Sequence, residues 1–305
     1  MRPIKSFLIA SALFFFGIFS PLLASININV DAVQKSVVFL YAADPNGAVD
    51  KTRPIGTGFL VFIPLKSDPK HGYRVLVTAR HMLDPTWAKC GIENPSVIYA
   101  RVNKKSEKFG VEFVRIQLVD QGKPTWVHHA DNEVDAAVAH ITIDEAIFDV
   151  ESVPVELFPT EAETALQTIG DPVMSAGLLP LLPGNSRNYP IFKFGQISNI
   201  PAESIETRCR NDMPTFPVKV WLIAANLVPG NSGSPIFHVP LGGSGISFGG
   251  TRPMLIGVQS LSYIGSDVAG MTPIKFVYQI LEQQGIKDAD LHRGPQPVPS
   301  NPEPK

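Results

Sequence analysis

Pro229-Gly230-Asn231-Ser232-Gly233-Ser234-Pro235 is the stretch that decides how this 305-residue chain is read. A serine hydroxyl is a poor nucleophile until a base removes its proton. The oxyanion that then develops needs backbone N–H groups converging on one point. Glycines on both sides of Ser232 let the chain fold tightly, so that the hydroxyl protrudes while nearby amides converge. Alone, the string is equally a Gly/Ser turn between strands. Gly184-Asn185-Ser186 also occurs, but Arg187 stands where the second glycine would be and no apolar strand follows, so it reads as a loop.

The company Ser232 keeps gives the string its weight. Upstream, Gly56-Thr57-Gly58-Phe59-Leu60-Val61 is followed by Val75-Leu76-Val77-Thr78-Ala79-Arg80-His81. Two strands and a short turn place His81 at a strand end facing a cleft. Val134-Asp135-Ala136-Ala137-Val138-Ala139 then sets an acid directly before an apolar strand. An acid there accepts a hydrogen bond from an imidazole, fixing its tautomer and stabilising the imidazolium. Asp131, Glu133 and Asp144 compete for that role, but only Asp135 opens the apolar run. The order His, Asp, Ser differs from the Ser, acid, His order of an α/β-hydrolase, and Ser234 stands where that fold's elbow carries its last glycine. His128, His129 and His140 read as edge or packing residues, and His71, His238 and His292 have no partner pattern.

These motifs resemble the trypsin-like, chymotrypsin-fold serine proteases, and most of all their HtrA/Deg-like branch without a PDZ domain. Phe194-Gly195-Gln196-Ile197-Ser198, Ile256-Gly257-Val258-Gln259-Ser260 and Met271-Thr272-Pro273-Ile274 add to the likeness, which spans Val30 to Gly285. The resemblance implies an all-β fold of two antiparallel six-stranded β-barrels, with the active site between them and a C-terminal helix. It implies an endopeptidase in which His81 is the general base, Asp135 orients it and Ser232 attacks through an acyl-enzyme. Gly230 and Ser232 would supply the oxyanion hole. It places Asn226 at the base of the substrate pocket and Gln259, Ser260 and Leu261 on its wall. A neutral Asn226 points to uncharged residues on the N-terminal side of the cut, since Lys or Arg would lack an acidic partner. Asn231 departs from relatives in which an Asp receives a new N-terminal ammonium, so no activation of that kind is expected. Ser234 replaces a glycine of many relatives and would narrow the floor of the site. Proteins or peptides are the expected substrates. The alternative is a catalytically silent binding or adhesion protein on the same fold, because fold does not fix function.

Outward from the motifs, short apolar runs punctuated by Gly, Pro or Asn indicate an all-β body. The expected strands are 37–42, 58–64, 74–78, 97–102, 112–118, 136–141, 173–177, 192–197, 218–224, 235–238 and 254–262. Residues 78–83 suggest one helical turn. Ile274, Val277, Tyr278 and Leu281 recur at amphipathic spacing, with Gly285 as a helix stop. Residues 150–167 are acidic and link the halves. The expected organisation is therefore a leader over 1–25, one barrel over 26–155, a second barrel and helix over 156–286, and a Pro-rich tail over 287–305.

Arg2 and Lys5 followed by the uncharged run Phe7 to Ala24, with Pro21 near its end, read as a secretory signal cleaved near Ala24. The run falls slightly short of the roughly 20 apolar residues that span a bilayer, the alternative being an N-terminal anchor. An extracytoplasmic, secreted or periplasmic site follows, with no stable membrane contact once the leader is removed. In such a compartment Cys90 and Cys209 either form a disulfide or remain two buried thiols. No cofactor is expected, and no metal spacing is present. The formal net charge of −2, with only Lys104-Lys105 as a basic pair, argues against a nucleic-acid partner. The 24 glycines and 28 prolines suit short strands joined by turns rather than a helical bundle.

Overall fold

The computed structural model describes residues 29–105, 110–209, 212–240, 252–263 and 265–291. The leader and the tail beyond residue 291 lie outside the described residues. The chain opens with α1 (Val30–Ser36), capped by Asn29, whose side chain accepts from the Asp31 and Ala32 N–H groups. Its two turns are too few for a period to show in the sequence.

The first half contributes β1 (Val37–Ala43), β2 (Val49–Pro64), β3 (Gly72–Thr78), the single turn α2 (Arg80–Leu83), β4 (Val97–Asn103) and β5 (Val111–Gln117). A small hairpin of β6 (Val119–Asp120) and β7 (Lys123–Pro124) leads to β8 (Trp126–His128) and β9 (Ala137–His140). These strands form an antiparallel sheet in the order β5-β4-β1-β2-β3-β9-β8, and β10 (Val153–Pro154) joins β2 in parallel. Successive side chains alternate between faces. One face sends Leu40, Leu60, Leu76, Ile98 and Ala139 into the interior of this half. The other sends Phe39, Phe59, Val61 and Val77 against Met174, Leu178, Phe237 and the C-terminal helix. Burial on both faces is why 37–41 and 59–63 read as unbroken apolar runs.

The second half follows a 3₁₀ turn (Val155–Leu157) and α3 (Glu161–Ala165), where Thr160 and Glu163 form a reciprocal capping box. It comprises β11 (Pro172–Gly177), β12 (Ile191–Asn199), β13 (Ile205–Thr207), β14 (Phe216–Val218), β15 (Trp221–Ala224), β16 (Pro235–His238), β17 (Met254–Ser262), β18 (Val268–Pro273) and α4 (Ile274–Gln283). A closed barrel runs β11-β12-β15-β18-β17-β16, while β13 and β14 pair apart from it. Val173, Ile197, Ile223, Ile236, Ile256 and Met271 fill this barrel. Helix α4 buries Ile274, Val277, Ile280 and Leu281, and Gly285 follows it at φ +55°.

The all-β fold with a C-terminal helix is as expected, and three differences concern how the two sheets are built. The first half is not a closed six-stranded barrel. The chain between β5 and β8 is spent on the β6–β7 hairpin, so the seam is held by single bonds. Thr125 N donates to Leu118 O at 3.0 Å and its hydroxyl to Gln117 O at 2.5 Å. The expected strand 218–224 is two strands, because Lys219 turns away to donate its N–H to Glu133 O across the halves. Strand β18, expected only as a lead into the helix, pairs with both β15 and β17. Its Ala, Gly and Thr carry too little bulk to mark a strand.

Candidate active site

His81 sits in the single turn α2 immediately after β3. That turn is pinned by Arg80, which is 5% exposed. The Arg80 guanidinium bonds Asp84 and the Asn132 side-chain oxygen and lies over the Trp87 ring at 4.6 Å. Burial pulls the Arg80 pKa down, while Asp84 and Asp135 oppose that shift.

Asp135 is fully buried just ahead of β9. One carboxylate oxygen accepts the His81 backbone N–H at 3.0 Å, and the other accepts from the ring Nδ1 at 2.7 Å. With the proton on Nδ1, the Nε2 lone pair is left for a reacting group. The Asp135 carbonyl accepts hydroxyl bonds from Thr272 at 3.2 Å and Ser260 at 3.4 Å, and these two hydroxyls lie 2.6 Å apart. The second barrel thereby fixes the acid supplied by the first half.

The serine turn is built from backbone bonds. Asn231 N donates to Val228 O at 3.0 Å, with Pro229 and Gly230 (φ +98°) between them, as a type II turn requires. Gly233 takes φ +87°, and a Cβ there would lie 1.9 Å from Thr57 O. Its N–H donates to Gln259 O at 2.7 Å. Thr57 holds the turn from the other half. Its N–H donates to Ser232 O at 2.8 Å, its hydroxyl donates to Gly230 O at 2.9 Å, and that hydroxyl accepts Leu178 N–H at 2.9 Å. Among the described residues, neither the Gly230 nor the Ser232 N–H donates to a protein acceptor.

His81, Ser232 and Gly230 line one open cleft of about 1460 Å³ between the halves. Among the described residues, the two bonds that fix His81 both go to Asp135, and none joins its ring to the Ser232 hydroxyl. Ser260 and Leu261 line the cleft. Asn226 does not: its side chain is exposed, and its backbone oxygen receives Lys193 Nζ at 2.6 Å. Gln259 is wholly buried behind the wall, its amide nitrogen bonded to Leu261 O and the Ser262 hydroxyl. Ser234 is also fully buried and faces Gly177 rather than the floor of the cleft. Gln259 lies on β17 just before a register shift in its pairing with β18, whereas Asn226 and Ser234 lie outside the strands, in the connection between β15 and β16.

Cys90 and Cys209 form a disulfide with Cα atoms 5.4 Å apart, joining the loop after α2 to the segment between β13 and β14 at the cleft wall. Three further residues were not singled out from sequence: Arg80, Thr57 and Lys193. A hydroxyl between two glycines on a buried strand was the available signal for Thr57. A lone lysine between Phe192 and Phe194 was the signal for Lys193. Burial lowers the Lys193 pKa.

No family model matches the chain, and no curated protein matches it. Solved structures similar in fold include the MamO protease domain from Magnetospirillum magneticum in its apo form. It shares 14% identity over 81% of this chain and 96% of that one, at a TM-score of 0.46. The Rv3671c protease from M. tuberculosis in its active form shares 17% identity over 88% of this chain and 86% of that one, at a TM-score of 0.44. The inactive form of the Rv3671c protease shares 16% over 84% and 92%, also at 0.44. The roles of the residues in this chain rest on its own geometry.

Among the described residues, no group of three or more His, Cys, Asp or Glu side chains is arranged to hold a metal ion. No described helix is long and apolar enough to cross a membrane.

Proposed function

We propose that this protein is an exported serine endopeptidase using His81, Asp135 and Ser232. The observation that carries the reading is the Asp135-fixed imidazole opening on the same cleft as Ser232, beside two backbone N–H groups without protein acceptors. The Ser232 oxygen attacks the scissile carbonyl carbon while His81 Nε2 takes the hydroxyl proton. The Gly230 and Ser232 N–H groups receive the oxyanion. The C–N bond breaks as His81 returns its proton to the leaving amine, and the acyl group stays on Ser232. Water, deprotonated by His81, then attacks the ester; the Ser232–acyl bond breaks and the serine recovers its proton.

Polypeptide is the substrate class best suited to the site. The cleft is open and exceeds the roughly 300–1,000 Å³ of small-molecule pockets. An oxidising, extracytoplasmic setting accords with the Cys90–Cys209 bond and with the leader-like N-terminus. Motif order favours the HtrA/Deg-like branch.

The test is labelling by a fluorophosphonate, in which the Ser232 oxygen displaces fluoride from phosphorus. The expected result is an adduct located on Ser232 by peptide mass spectrometry. It should be lost in Ser232→Ala and in His81→Ala while both variants remain folded. Folded wild-type protein that takes no label, and hydrolyses no denatured protein at neutral pH, would leave the noncatalytic binding role in its place.

A further inference from the structure

The segment 226–231 ends in the turn that presents the Gly230 N–H, and its internal bonds are few. Within it Asn231 N donates to Val228 O, and Leu227 N reaches back to Ala225 O just ahead of it. The Asn231 side-chain oxygen accepts Val228 N–H at 2.9 Å. What fixes the segment to the rest of the molecule is a short set of outward bonds. Thr57 supplies one, to Gly230 O. The Asn231 amide nitrogen supplies another, to Leu178 O at 2.6 Å. The remaining two come from one side chain. Lys193, on β12, donates from Nζ to Asn226 O at 2.6 Å and to the Asn231 side-chain oxygen at 3.3 Å. It grips the segment at both ends.

We infer that Lys193 is a positioning residue for the serine turn: its ammonium holds Asn226 and Asn231 at a fixed separation and so keeps the Gly230 and Ser232 amides aimed at one point. The inference rests on the protease reading above. Both acceptors are neutral oxygens, and a charged donor makes the stronger bond to each. Asn231 is 1% exposed, so bulk solvent does not compete with the lysine for its side-chain oxygen. Across the ladder Lys193 faces Ser175 of β11, and in the turn it faces Asn226 and Asn231. No ionisable neighbour shifts it; burial alone makes its proton easier to lose. Deprotonation turns a charged clamp into a weak neutral donor. The sign is therefore an activity loss on the alkaline side, separate from any acid limb set by a histidine base.

The experiment compares wild type, Lys193→Met and Lys193→Arg. It reads kcat and KM on a peptide substrate across pH 6 to 10.5, together with the rate of fluorophosphonate labelling at Ser232. Lys193→Met keeps the apolar stem and removes the charge. Its kcat and labelling rate are expected to fall roughly 10- to 100-fold, short of the 10²–10³ seen when an oxyanion-hole donor is lost outright. KM should change less. Lys193→Arg keeps a charge that does not titrate; it should recover activity and lose the alkaline fall. Wild-type kcat and labelling in Lys193→Met would overturn the inference. So would an alkaline limb that is the same in wild type and Lys193→Arg, which decides the matter even where Lys193→Met does not fold. Active wild type with unaffected variants sinks only this inference; folded wild type inert to the probe sinks the protease reading and this with it.

Discussion

Replacing Thr57 by Val removes one buried hydroxyl and keeps the shape of the side chain. That hydroxyl is 2.9 Å from both Gly230 O and Leu178 N, donating to the first and accepting from the second. Thr57 is fully buried, so water cannot substitute for it. Each orphaned backbone group costs about 1–3 kcal/mol. The pair should lower stability by roughly 2–4 kcal/mol, since the added methyl offsets part of the loss. For a domain of this size that is on the order of a 5–15 °C drop in Tm. On the proposed protease reading activity should fall as well, because the Gly230 carbonyl lies within the turn that presents Ser232. Loss of an oxyanion-hole donor, 10²–10³ in kcat, sets the upper limit. The assay pairs urea unfolding with kcat on a peptide substrate for wild type, Thr57→Val and Thr57→Ser. Serine keeps the hydroxyl and should restore most of both quantities. Thr57→Val with wild-type stability and kcat would show that the clamp across the halves contributes nothing, and the reasoning would fail.

Other perturbations probe the scaffold. The Cys90–Cys209 bond spans a sequence separation of 119; loop-closure entropy assigns it about 5 kcal/mol at most. Cys90→Ala/Cys209→Ala should accordingly lose up to that much in urea unfolding, and wild type should match it in the presence of reductant. Arg101, 3% exposed, donates to the carbonyls of Pro183, Gly184 and Asn185 and to the Asn188 side chain. Arg101→Met should cost about 3 kcal/mol or more and expose residues 183–188 to limited proteolysis; an unchanged cleavage pattern would contradict that anchoring. Burial pushes the Glu163 carboxyl up, but Arg252 and the Thr160 N–H together hold it below its ordinary 4.5. A lowered folded value stabilises above the unfolded pKa and is lost as pH falls through the folded one. Glu163→Gln should therefore be less stable than wild type at pH 7, with the gap closing below pH 4; a pH-independent gap would rule out this pair as its source.

The site was legible from sequence where chemistry is carried by short contiguous strings. The glycines flanking Ser232 appear again as φ +98° and +87° in the folded chain. His81 and Asp135 each lie beside a strand whose apolar run is continuous in sequence, and backbone propensity alone delivers them to strand ends. The cleft wall was half legible. Leu261 lines the cavity and Ser260 borders it with its hydroxyl turned to the Asp135 carbonyl, whereas Gln259 and Asn226 lie off it.

Strand alternation and apolar spacing were enough to specify an all-β body and a C-terminal helix, because those depend on local period and on residue type; the motif order supplied the candidate residues His81, Asp135 and Ser232. Which groups hold the constellation together was settled only in three dimensions. Thr57 lies 175 positions before Ser232, yet donates its N–H to Ser232 O. Lys193 reaches Asn231 from another strand, and Ser260 and Thr272 reach the Asp135 carbonyl from the other half. The open seam of the first sheet likewise follows from where the β6–β7 hairpin lands. Hydrogen bonds between distant segments leave no period in the sequence; a buried polar side chain finds its partner only after the halves have packed.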